Sequence, residues 1–356
     1  MSKRAYRFLE MIQAGPGQGV LIHKPSNMFY LSGYSGEGCL LLSDKGLALI
    51  TDFRYTEQAE KQAPGFDIHM TQKGVSQEDV LGSLCDRWGV EEILFEDDGL
   101  TVCAFDKLKD ALPKVRWKPL DSSLEKMRRI KDEGELALIR EACRITGETF
   151  ERLLPQIREG MTEKELAALL EYDMRSHGAD GIAFSTIVAS GANGSLPHAV
   201  PSDTKLKRGD MITLDFGAKV GGYCADMTRT FALGDPGDEM KKVYRVVQEA
   251  QRLAQEAVAA GKACREVDRV ARDYIHAQGY KGRFGHGLGH SLGIDIHEAP
   301  RCNDISEDVL EEGMLMTVEP GIYLPGIGGV RIENTVVVTK NGCMALTTPT
   351  RDLIIL

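Results

Sequence analysis

The sequence predicts an α+β protein of two domains: a small mixed N-terminal domain, then a larger domain in which helices cover a curved antiparallel sheet. Its 356 residues exceed what one hydrophobic core usually holds. The composition changes near residue 120, where short strand patterns give way to long helical ones. Strand patterns then lie between and after the helices, which favours helices packed on an antiparallel sheet. We therefore place the domains at residues 1–122 and 123–356.

Short elements alternate in the first domain. Apolar runs at 38–43 and 47–51 flank an Asp-Lys-Gly turn, which is typical of a β-hairpin. The first domain also has helical spacing at 56–63, 77–88 and 105–112, and short strand patterns at 68–71 and 92–95. The N-terminus lacks the apolar core of a signal peptide, and no run is long enough to span a membrane. We expect a cytoplasmic protein without a membrane partner.

Longer helices dominate the second domain. Helical spacing begins near Leu124, after a serine that can cap a helix, and continues to about residue 159. Thr162 and Glu165 form a capping box before a helix at 166–177. Further helices are predicted at 238–260 and 268–278. The predicted strands are 186–189, 211–218, 222–233, 314–323, 330–338 and 353–356.

Charge and cysteine content exclude several classes of function. The formal net charge of -10 disfavours nucleic-acid binding through a general basic field. The eight cysteines are scattered and form no C-x-x-C pair. That spacing disfavours both a structural zinc site and a disulfide framework. We expect reduced and mostly buried thiols.

Two aspartates flank a predicted turn in the second domain. Asp215 and Asp226 lie symmetrically about residues 219–222, so a hairpin centred there would place them opposite each other on one face. Two carboxylates at that distance repel strongly unless a cation lies between them. The pair therefore indicates a metal site.

Two glutamates repeat this arrangement. Glu319 and Glu333 lie symmetrically about Gly326, in runs that are otherwise apolar. His290 closes a glycine-rich segment at 285–290, whose flexible backbone can bring an imidazole into a crowded site. Four carboxylates and one imidazole suit two divalent ions, which can activate a water molecule for hydrolysis.

Each of these residues alone has a simpler explanation. An aspartate beside a turn is usually a turn or cap residue. A single histidine is more often a surface or core residue than a metal ligand. The prediction depends on the conjunction of two symmetric acidic hairpins with one glycine-framed histidine.

The sequence resembles the "pita-bread" metallopeptidases, which include methionine aminopeptidase, aminopeptidase P and prolidase. Five segments carry the resemblance: 214–217 (LDFG), 225–230 (ADMTRT), 285–290 (GHGLGH), 317–323 (TVEPGIY) and 330–335 (VRIENT). The N-terminal region resembles the creatinase-type domain of the proline-specific members at 23–27 (HKPSN), 30–34 (YLSGY) and 51–55 (TDFRY). The resemblance implies a creatinase-type N-terminal domain followed by a pita-bread catalytic domain.

The resemblance also implies a role for each metal ligand. Asp215 would hold one ion, and Asp226 and Glu333 would bridge both ions. His290 and Glu319 would complete the second site. Glu319 is also the family's general base and proton shuttle.

Further site residues follow from the same resemblance. His198 would bind substrate and steady the tetrahedral intermediate, and His297 would lie near the proline side of the scissile bond. Arg331 and Tyr323 match residues that support the site, and Tyr323 is also a candidate substrate contact. Arg301 resembles the arginine that some prolidases use for the dipeptide carboxylate. His198 and His297 could instead be ordinary loop residues, and Arg331 could pair with a surface acid.

The expected activity is hydrolysis of the peptide bond before proline. Xaa-Pro dipeptides are the expected substrates, as for a prolidase. One alternative is an aminopeptidase P that acts on longer Xaa-Pro peptides, and another is a non-enzymatic binding module on the same fold. Manganese is the expected metal, with cobalt, zinc or iron as alternatives. The family also implies a homodimer built largely through the N-terminal domain.

Overall fold

A computed structural model describes residues 2–356 and divides the chain into two compact units, one ending at Met127 and the other spanning Arg128–Leu356. None of the helices within the described residues is long and apolar enough to cross a membrane. The combination of a small mixed domain with a larger domain of helices and antiparallel strands confirms the predicted fold class.

The first unit is built on one six-stranded sheet. Its elements are α1 Ser2–Met11, β1 Gln18–Ile22, α2 Pro25–Ser32, β2 Cys39–Ser43, β3 Gly46–Thr51, α3 Thr56–Gln62, β4 Asp67–Met70, α4 Gln77–Trp88, β5 Glu92–Phe95, α5 Val102–Ala111, β6 Arg116–Pro119 and α6 Ser123–Arg129. The strand order is β4-β3-β2-β1-β5-β6, with antiparallel pairing at β1–β2–β3 and parallel pairing elsewhere. The predicted hairpin is present, because Ser43 pairs with Gly46 across the turn.

The second unit contains four long helices and thirteen strands among its described elements. They are α7 Glu133–Leu153, α8 Glu163–Ser176, β7 Gly181–Ile182, β8 Ile187–Ser190, β9 Asp210–Phe216, β10 Ala218–Val220, β11 Tyr223–Cys224, β12 Met227–Leu233, α9 Gly237–Ala257, α10 Cys264–Ile275, β13 Gly289–Ser291, β14 Glu298–Cys302, β15 Leu315–Val318, β16 Gly321–Leu324, β17 Gly328–Arg331, β18 Asn334–Thr339 and β19 Gly342–Ala345. Each strand pair in this unit is antiparallel.

Two apolar cores hold this unit together. One lies between α7, α8 and the β8–β9–β12 strands and includes the fully buried Phe216 and Phe231. The other lies between α9, α10 and the β15–β18 strands and includes Val247 and Val336. Both cores pack against strands that contain or directly adjoin the acidic residues identified in the sequence, since Asp215 lies on β9 and the other three acids each lie one residue outside a strand.

One predicted strand is not formed. Residues 353–356 are apolar enough for a strand, but the structure has only an isolated parallel bridge there, between Ile355 and Ala232. The apolar residues of this segment predict only that it is at least partly buried. A strand also needs an adjacent strand with which several successive residues can pair, and the sequence pattern does not show whether one is present. The predicted capping box is present, since Thr162 and Glu165 exchange hydrogen bonds at the start of α8.

Candidate metal centre

The first acidic hairpin has a different register from the predicted one. Its turn is Gly221-Gly222, with both φ angles positive at 54° and 83°, which suits a two-residue hairpin turn. Asp215 therefore pairs with Thr228 rather than with Asp226. Because strand side chains alternate between faces, a shift of two residues keeps both aspartates on one face as diagonal neighbours. The expected shared face is present, and the expected direct pairing is wrong.

The second acidic hairpin has the predicted register. Val318 pairs with Asn334 and Gly321 pairs with Arg331, so the ladder is centred on Gly326, whose φ is 75°. Glu319 and Glu333 lie in the short gaps between those paired segments, at opposite positions. In these gaps the backbone pairs elsewhere: Glu333 N donates to the Thr228 carbonyl of the first hairpin, and Glu319 N donates to the Leu288 carbonyl just before β13.

His290 lies on β13, beside β15. Its backbone N–H donates to Thr317 Oγ1 at 2.9 Å, and its Nδ1 lies 3.0 Å from the Ser291 carbonyl oxygen. If Nδ1 carries the proton for that carbonyl, Nε2 keeps its lone pair for a ligand. Gly289 is required here, because a Cβ at that position would lie 2.0 Å from the Thr317 carbonyl oxygen. Nε2 lies 3.6 Å from Asp226 Oδ2 and 3.4 Å from Glu319 Oε1.

The acidic oxygens are close enough to share metal ions. Asp215, Asp226 and Glu333 each offer an oxygen, and these three atoms lie within 4.8 Å of one another. Within the part of the chain that the structure describes, Asp215 Oδ1 and Glu333 Oε1 are buried without a hydrogen-bond partner. Buried polar atoms are almost always partnered, so two orphaned carboxylate oxygens at one point fit a site for cations.

The electrostatics of these side chains agree with this interpretation. Burial and then repulsion from Glu333 and Asp215 raise the pKa of Asp226 well above its usual value. Burial and then repulsion from Glu319 do the same to the pKa of Glu333. Burial also raises the pKa of Glu319, to about 8, although Arg331 opposes the shift. Burial lowers the pKa of His290 to about 4, which leaves its imidazole neutral and able to bind a metal at neutral pH.

A buried network around Glu298 provides a contrast within the same unit. The Glu298 side chain is 8% exposed and forms ion pairs with Arg128 and Lys131. Burial alone would raise the pKa of Glu298, but Lys131 and Arg128 outweigh it and hold the pKa below its usual value. The fold therefore places basic side chains beside Glu298, but it does not place enough basic side chains beside Asp226 and Glu333 to balance their burial and mutual repulsion.

Arg331 supports one side of the centre. Its guanidinium donates to Asp215 Oδ2 at 2.7 Å, Thr228 Oγ1 at 3.0 Å, the Tyr323 hydroxyl at 2.9 Å and the Pro197 carbonyl at 3.1 Å. Tyr323 also lies 2.8 Å from His286 Nε2 and is not among the cavity-lining side chains. Arg331 therefore lies between the Tyr323 hydroxyl and Asp215, and the substrate contact expected of Tyr323 stays a prediction.

The acids form the floor of a cavity of about 260 Å³. All five predicted metal ligands line it, together with His198, His297, Arg301 and Arg331. His297 stacks edge-on against His290, with 4.5 Å between the ring centroids. Arg301 pairs directly with His290 across β13 and β14, so both side chains point to the same face. The structure thus brings the predicted site residues to one cavity, with Tyr323 behind its wall.

Known proteins with this architecture identify the family. The description "Metallopeptidase family M24" matches residues 137–340, and "Creatinase/Prolidase N-terminal domain" matches residues 4–130. The chain belongs to metallopeptidase family M24. The resemblance inferred from the motifs is therefore confirmed.

Several full-length M24 relatives are similar to this chain. An Xaa-Pro dipeptidase of Pyrococcus horikoshii is 36% identical over 356 residues, covering 99% of each sequence. The structure of an Xaa-Pro dipeptidase from Bacillus anthracis is 41% identical, with a TM-score of 0.95 and 99% of each chain covered. The structure of an X-Pro aminopeptidase from Thermotoga maritima is 40% identical, with a TM-score of 0.91, and covers 99% of this chain and 100% of that one.

Apart from Arg331 and Tyr323, the sequence did not identify the residues that support this M24 site. Glu163, Lys131 and Arg128 are ordinary charged residues within helical patterns, yet all three are buried. The apolar wall formed by Phe184, Ile187 and Ile296 was also missed. The sequence offered a weak signal for Ile187, which lies in the predicted strand 186–189. The structure pairs it with Asp215 at the edge of the β8–β9 ladder. The charged residues gave no comparable local signal, because their partners are far away in the sequence.

Proposed function

We propose that this chain is an exopeptidase that hydrolyses Xaa-Pro dipeptides with the help of two divalent cations. The observation that carries the proposal is one small cavity with four carboxylates and His290 at its floor and Arg301 at its wall. The similarity to the Xaa-Pro dipeptidases described above supports the same activity.

The residues would divide the cations as the family resemblance implies. Asp215 would hold one ion, Asp226 and Glu333 would hold both, and His290 with Glu319 would complete the second position. Two such ions supply Lewis acidity to the scissile carbonyl and lower the pKa of a water molecule. The orphaned oxygens of Asp215 and Glu333 support this donor set.

Protein side chains perform the proton transfers and hold the substrate. Glu319 accepts a proton from the attacking water and delivers it to the proline nitrogen as the peptide bond breaks. His198 donates to the oxygen that becomes negative in the tetrahedral intermediate. His297 contacts the proline side of the scissile bond.

Arg301 sets the preferred substrate length. Its exposed guanidinium faces the cavity from β14, where it can form a charge-assisted pair with a free carboxylate. In an Xaa-Pro dipeptide that carboxylate belongs to the proline, one residue from the scissile bond. In a longer peptide the same position is an uncharged amide, so Arg301 favours the dipeptide.

The alternative is an aminopeptidase P that releases the first residue from longer Xaa-Pro peptides. The 40% identity to the Thermotoga maritima X-Pro aminopeptidase favours it. Arg301 lines the cavity and is exposed, so a longer peptide that extends past it would reach solvent.

Kinetics with matched peptides separate the two activities. We would compare Ala-Pro, Gly-Pro and Ala-Pro-Ala with manganese, cobalt or zinc present. The dipeptidase proposal expects kcat/KM for Ala-Pro to exceed that for Ala-Pro-Ala by at least about tenfold, the value of one charge-assisted contact. Arg301→Met should remove this preference through a higher KM for Ala-Pro. Equal rates for both peptides would refute the dipeptidase, and no hydrolysis with any metal would leave only the binding module.

Three further properties belong to the proposal. We propose manganese as the working metal, a homodimer built through the first unit, and a cytoplasmic location. Elemental analysis of the purified protein tests the metal, and light scattering tests the dimer. Fractionation of cells that produce the protein tests the location.

A further inference from the structure

Glu163 is a buried carboxylate with an unusual set of partners. It is the first residue of α8, and it is 0% exposed. Its Oε1 accepts hydrogen bonds from Ser190 N at 2.8 Å and Ser190 Oγ at 2.9 Å. Its Oε2 accepts from Ser202 N at 3.0 Å and Ser202 Oγ at 2.6 Å. The Asn193 side-chain amide donates to both oxygens, at 3.1 Å and 3.2 Å.

All of these donors flank or belong to one loop, residues 191–201, which we name the His198 loop. Ser190 ends β8 immediately before the loop, and Ser202 follows it. One oxygen of Glu163 binds each end, and Asn193 bridges the two oxygens from within the loop. The carboxylate therefore closes the base of the loop whose other side carries His198 into the cavity.

The loop has a second attachment on the side of the metal centre. The Pro197 carbonyl accepts a hydrogen bond from Arg331, which also binds Asp215. Gly194 packs so closely against the β16–β17 hairpin that a Cβ at Gly329 would lie 2.0 Å from the Gly194 carbonyl oxygen. His198 itself is exposed, so its position depends on the backbone of the loop rather than on packing of its ring.

Helix capping does not account for Glu163. Thr162 and Glu165 already form the capping box of α8, and both of those side chains bond to each other's backbone. Burial of a carboxylate is costly unless every oxygen is well satisfied. A residue that only filled space at this position could be apolar. The five donor groups that converge here instead need a side chain with two acceptor oxygens.

We propose that Glu163 is a positioning residue that fixes the His198 loop, so that the His198 imidazole stands ready at the cavity. This inference rests on the proposed function, in which His198 contacts the reacting carbonyl. Glu163 does not touch the substrate and acts through the loop backbone. Loss of Glu163 should therefore slow formation of the tetrahedral intermediate, which His198 stabilises, and should do so beyond any effect on the stability of the second unit.

Glu163→Gln is the matched perturbation. Glutamine has the same shape, but its amide nitrogen would face donors from either Ser190 or Ser202, which would release one end of the loop. We expect kcat for Ala-Pro to fall about tenfold or more, since small displacements of a catalytic group cost that much. KM should change by less than about twofold, because His198 acts mainly in the transition state.

A double-mutant cycle distinguishes positioning from a general structural role. We would measure kcat/KM for the wild type, Glu163→Gln, His198→Ala and the double variant with manganese present. If Glu163 acts through His198, its substitution should cost less than about twofold once His198 is absent. Equal losses in both backgrounds would overturn the proposal. Glu165→Gln is the control, since it weakens the same helix end without contacting the loop and should leave kcat within about twofold.

Hydrogen exchange tests the same proposal without any activity. Amides of residues 191–201 should exchange at least about tenfold faster in Glu163→Gln than in Glu165→Gln, with β9 unchanged. Unchanged exchange of the loop amides would overturn the positioning role of Glu163, whatever the activity of the wild type. A wild type that is inactive on every Xaa-Pro peptide would refute the proposed function and would leave this exchange test valid. If Glu163→Gln does not fold, Ser202→Ala serves instead, because it removes one hydrogen-bond donor to Glu163. Its loop amides should also exchange faster, by a smaller factor than expected for Glu163→Gln. Unchanged loop exchange in Ser202→Ala would overturn the proposal.

Discussion

Replacing Arg331 by lysine tests how far the centre depends on the geometry of a single guanidinium. Arg331 is 4% exposed and donates to four acceptors in different directions. Lysine keeps the positive charge, so any change reports the loss of the planar fork rather than the loss of charge. Its single ammonium can stay with Asp215, the charged partner, but cannot also reach Tyr323, Pro197 and Thr228.

The size of the effect follows from those three lost contacts. A typical hydrogen bond contributes about 0.5–1.5 kcal/mol net, so three of them amount to about 1.5–4.5 kcal/mol. Part of this loss appears as lower stability. The rest appears as misplacement of Asp215 and of the Pro197 backbone next to His198. Substitution of a residue that orients a metal ligand typically lowers metal affinity or activity by about 10–100-fold. We therefore expect Arg331→Lys to lower kcat/KM for Ala-Pro by about 10–100-fold.

The measurement combines steady-state kinetics with calorimetric unfolding. Arg252→Lys is the control, because Arg252 is a half-exposed arginine of α9 that forms ion pairs only with helix neighbours among the described residues, and it should change neither quantity. Arg331→Lys with kcat/KM within twofold of the wild type and an unchanged unfolding midpoint would refute the reasoning. Such a result would mean that the four contacts do not hold the centre together.

Three further predictions follow from the buried charges. Asp226→Asn should abolish stoichiometric manganese binding by titration calorimetry, while the exposed Asp352→Asn should not, and binding of two ions to Asp226→Asn would contradict the shared role of Asp226. In the metal-free protein, the raised pKa values of Asp226, Glu333 and Glu319 (about 8 for Glu319, usually 4.5) mean that these carboxylates bind more protons in the folded state than in the unfolded state, so their contribution to stability falls as pH rises toward 8. Buried histidines such as His286 and His290, whose pKa is lowered to about 4, have the opposite sign, but they are mostly neutral in both states above about pH 7. An unfolding midpoint in chelator that rises from pH 7 to pH 8 would contradict this prediction. Lys131→Met should destabilise the catalytic unit by about 1.5–3 kcal/mol, because Glu298 then loses one of its two cations, and an unchanged denaturation midpoint would show that Arg128 alone satisfies Glu298.

The sequence predicted the acidic hairpins well and the register of one of them imperfectly. The distance between Asp215 and Asp226 suggested a turn centred within residues 219–222, but the two adjacent glycines at 221 and 222 form the turn and move its centre by one residue. A glycine pair is itself a hairpin signal, so the correct register was available from the sequence. The other hairpin had one glycine at its centre, Gly326, and its register was predicted correctly.

The supporting residues other than Arg331 and Tyr323 could not be predicted, because their function arises from long-range contacts. Lys131 meets Glu298 across 167 positions of the sequence. Arg331 meets Asp215 across 116 positions, and only the family resemblance pointed to it. Nothing local distinguishes Glu163 from the exposed Glu165 two residues later, since both lie in the first turn of α8. The short strands β13 and β14 were missed for the same reason: three to five residues carry little periodicity, and their pairing partner defines them.

The two groups of buried acids indicate that the fold loses stability at the residues of its proposed metal centre. Glu298 has Arg128 and Lys131 beside it, and its pKa is held below its usual value. Asp226 and Glu333 are equally buried, yet their strongest neighbours are other acids, and the pKa of each is raised. A fold selected only for stability would place cations or apolar residues at these positions. The unfavourable cluster is offset only when cations bind to it, so the metal-free Asp226→Asn protein should unfold at a higher temperature than the metal-free wild type at pH 8. With manganese added, the order of the two unfolding temperatures should reverse, because only the wild type gains stability from binding.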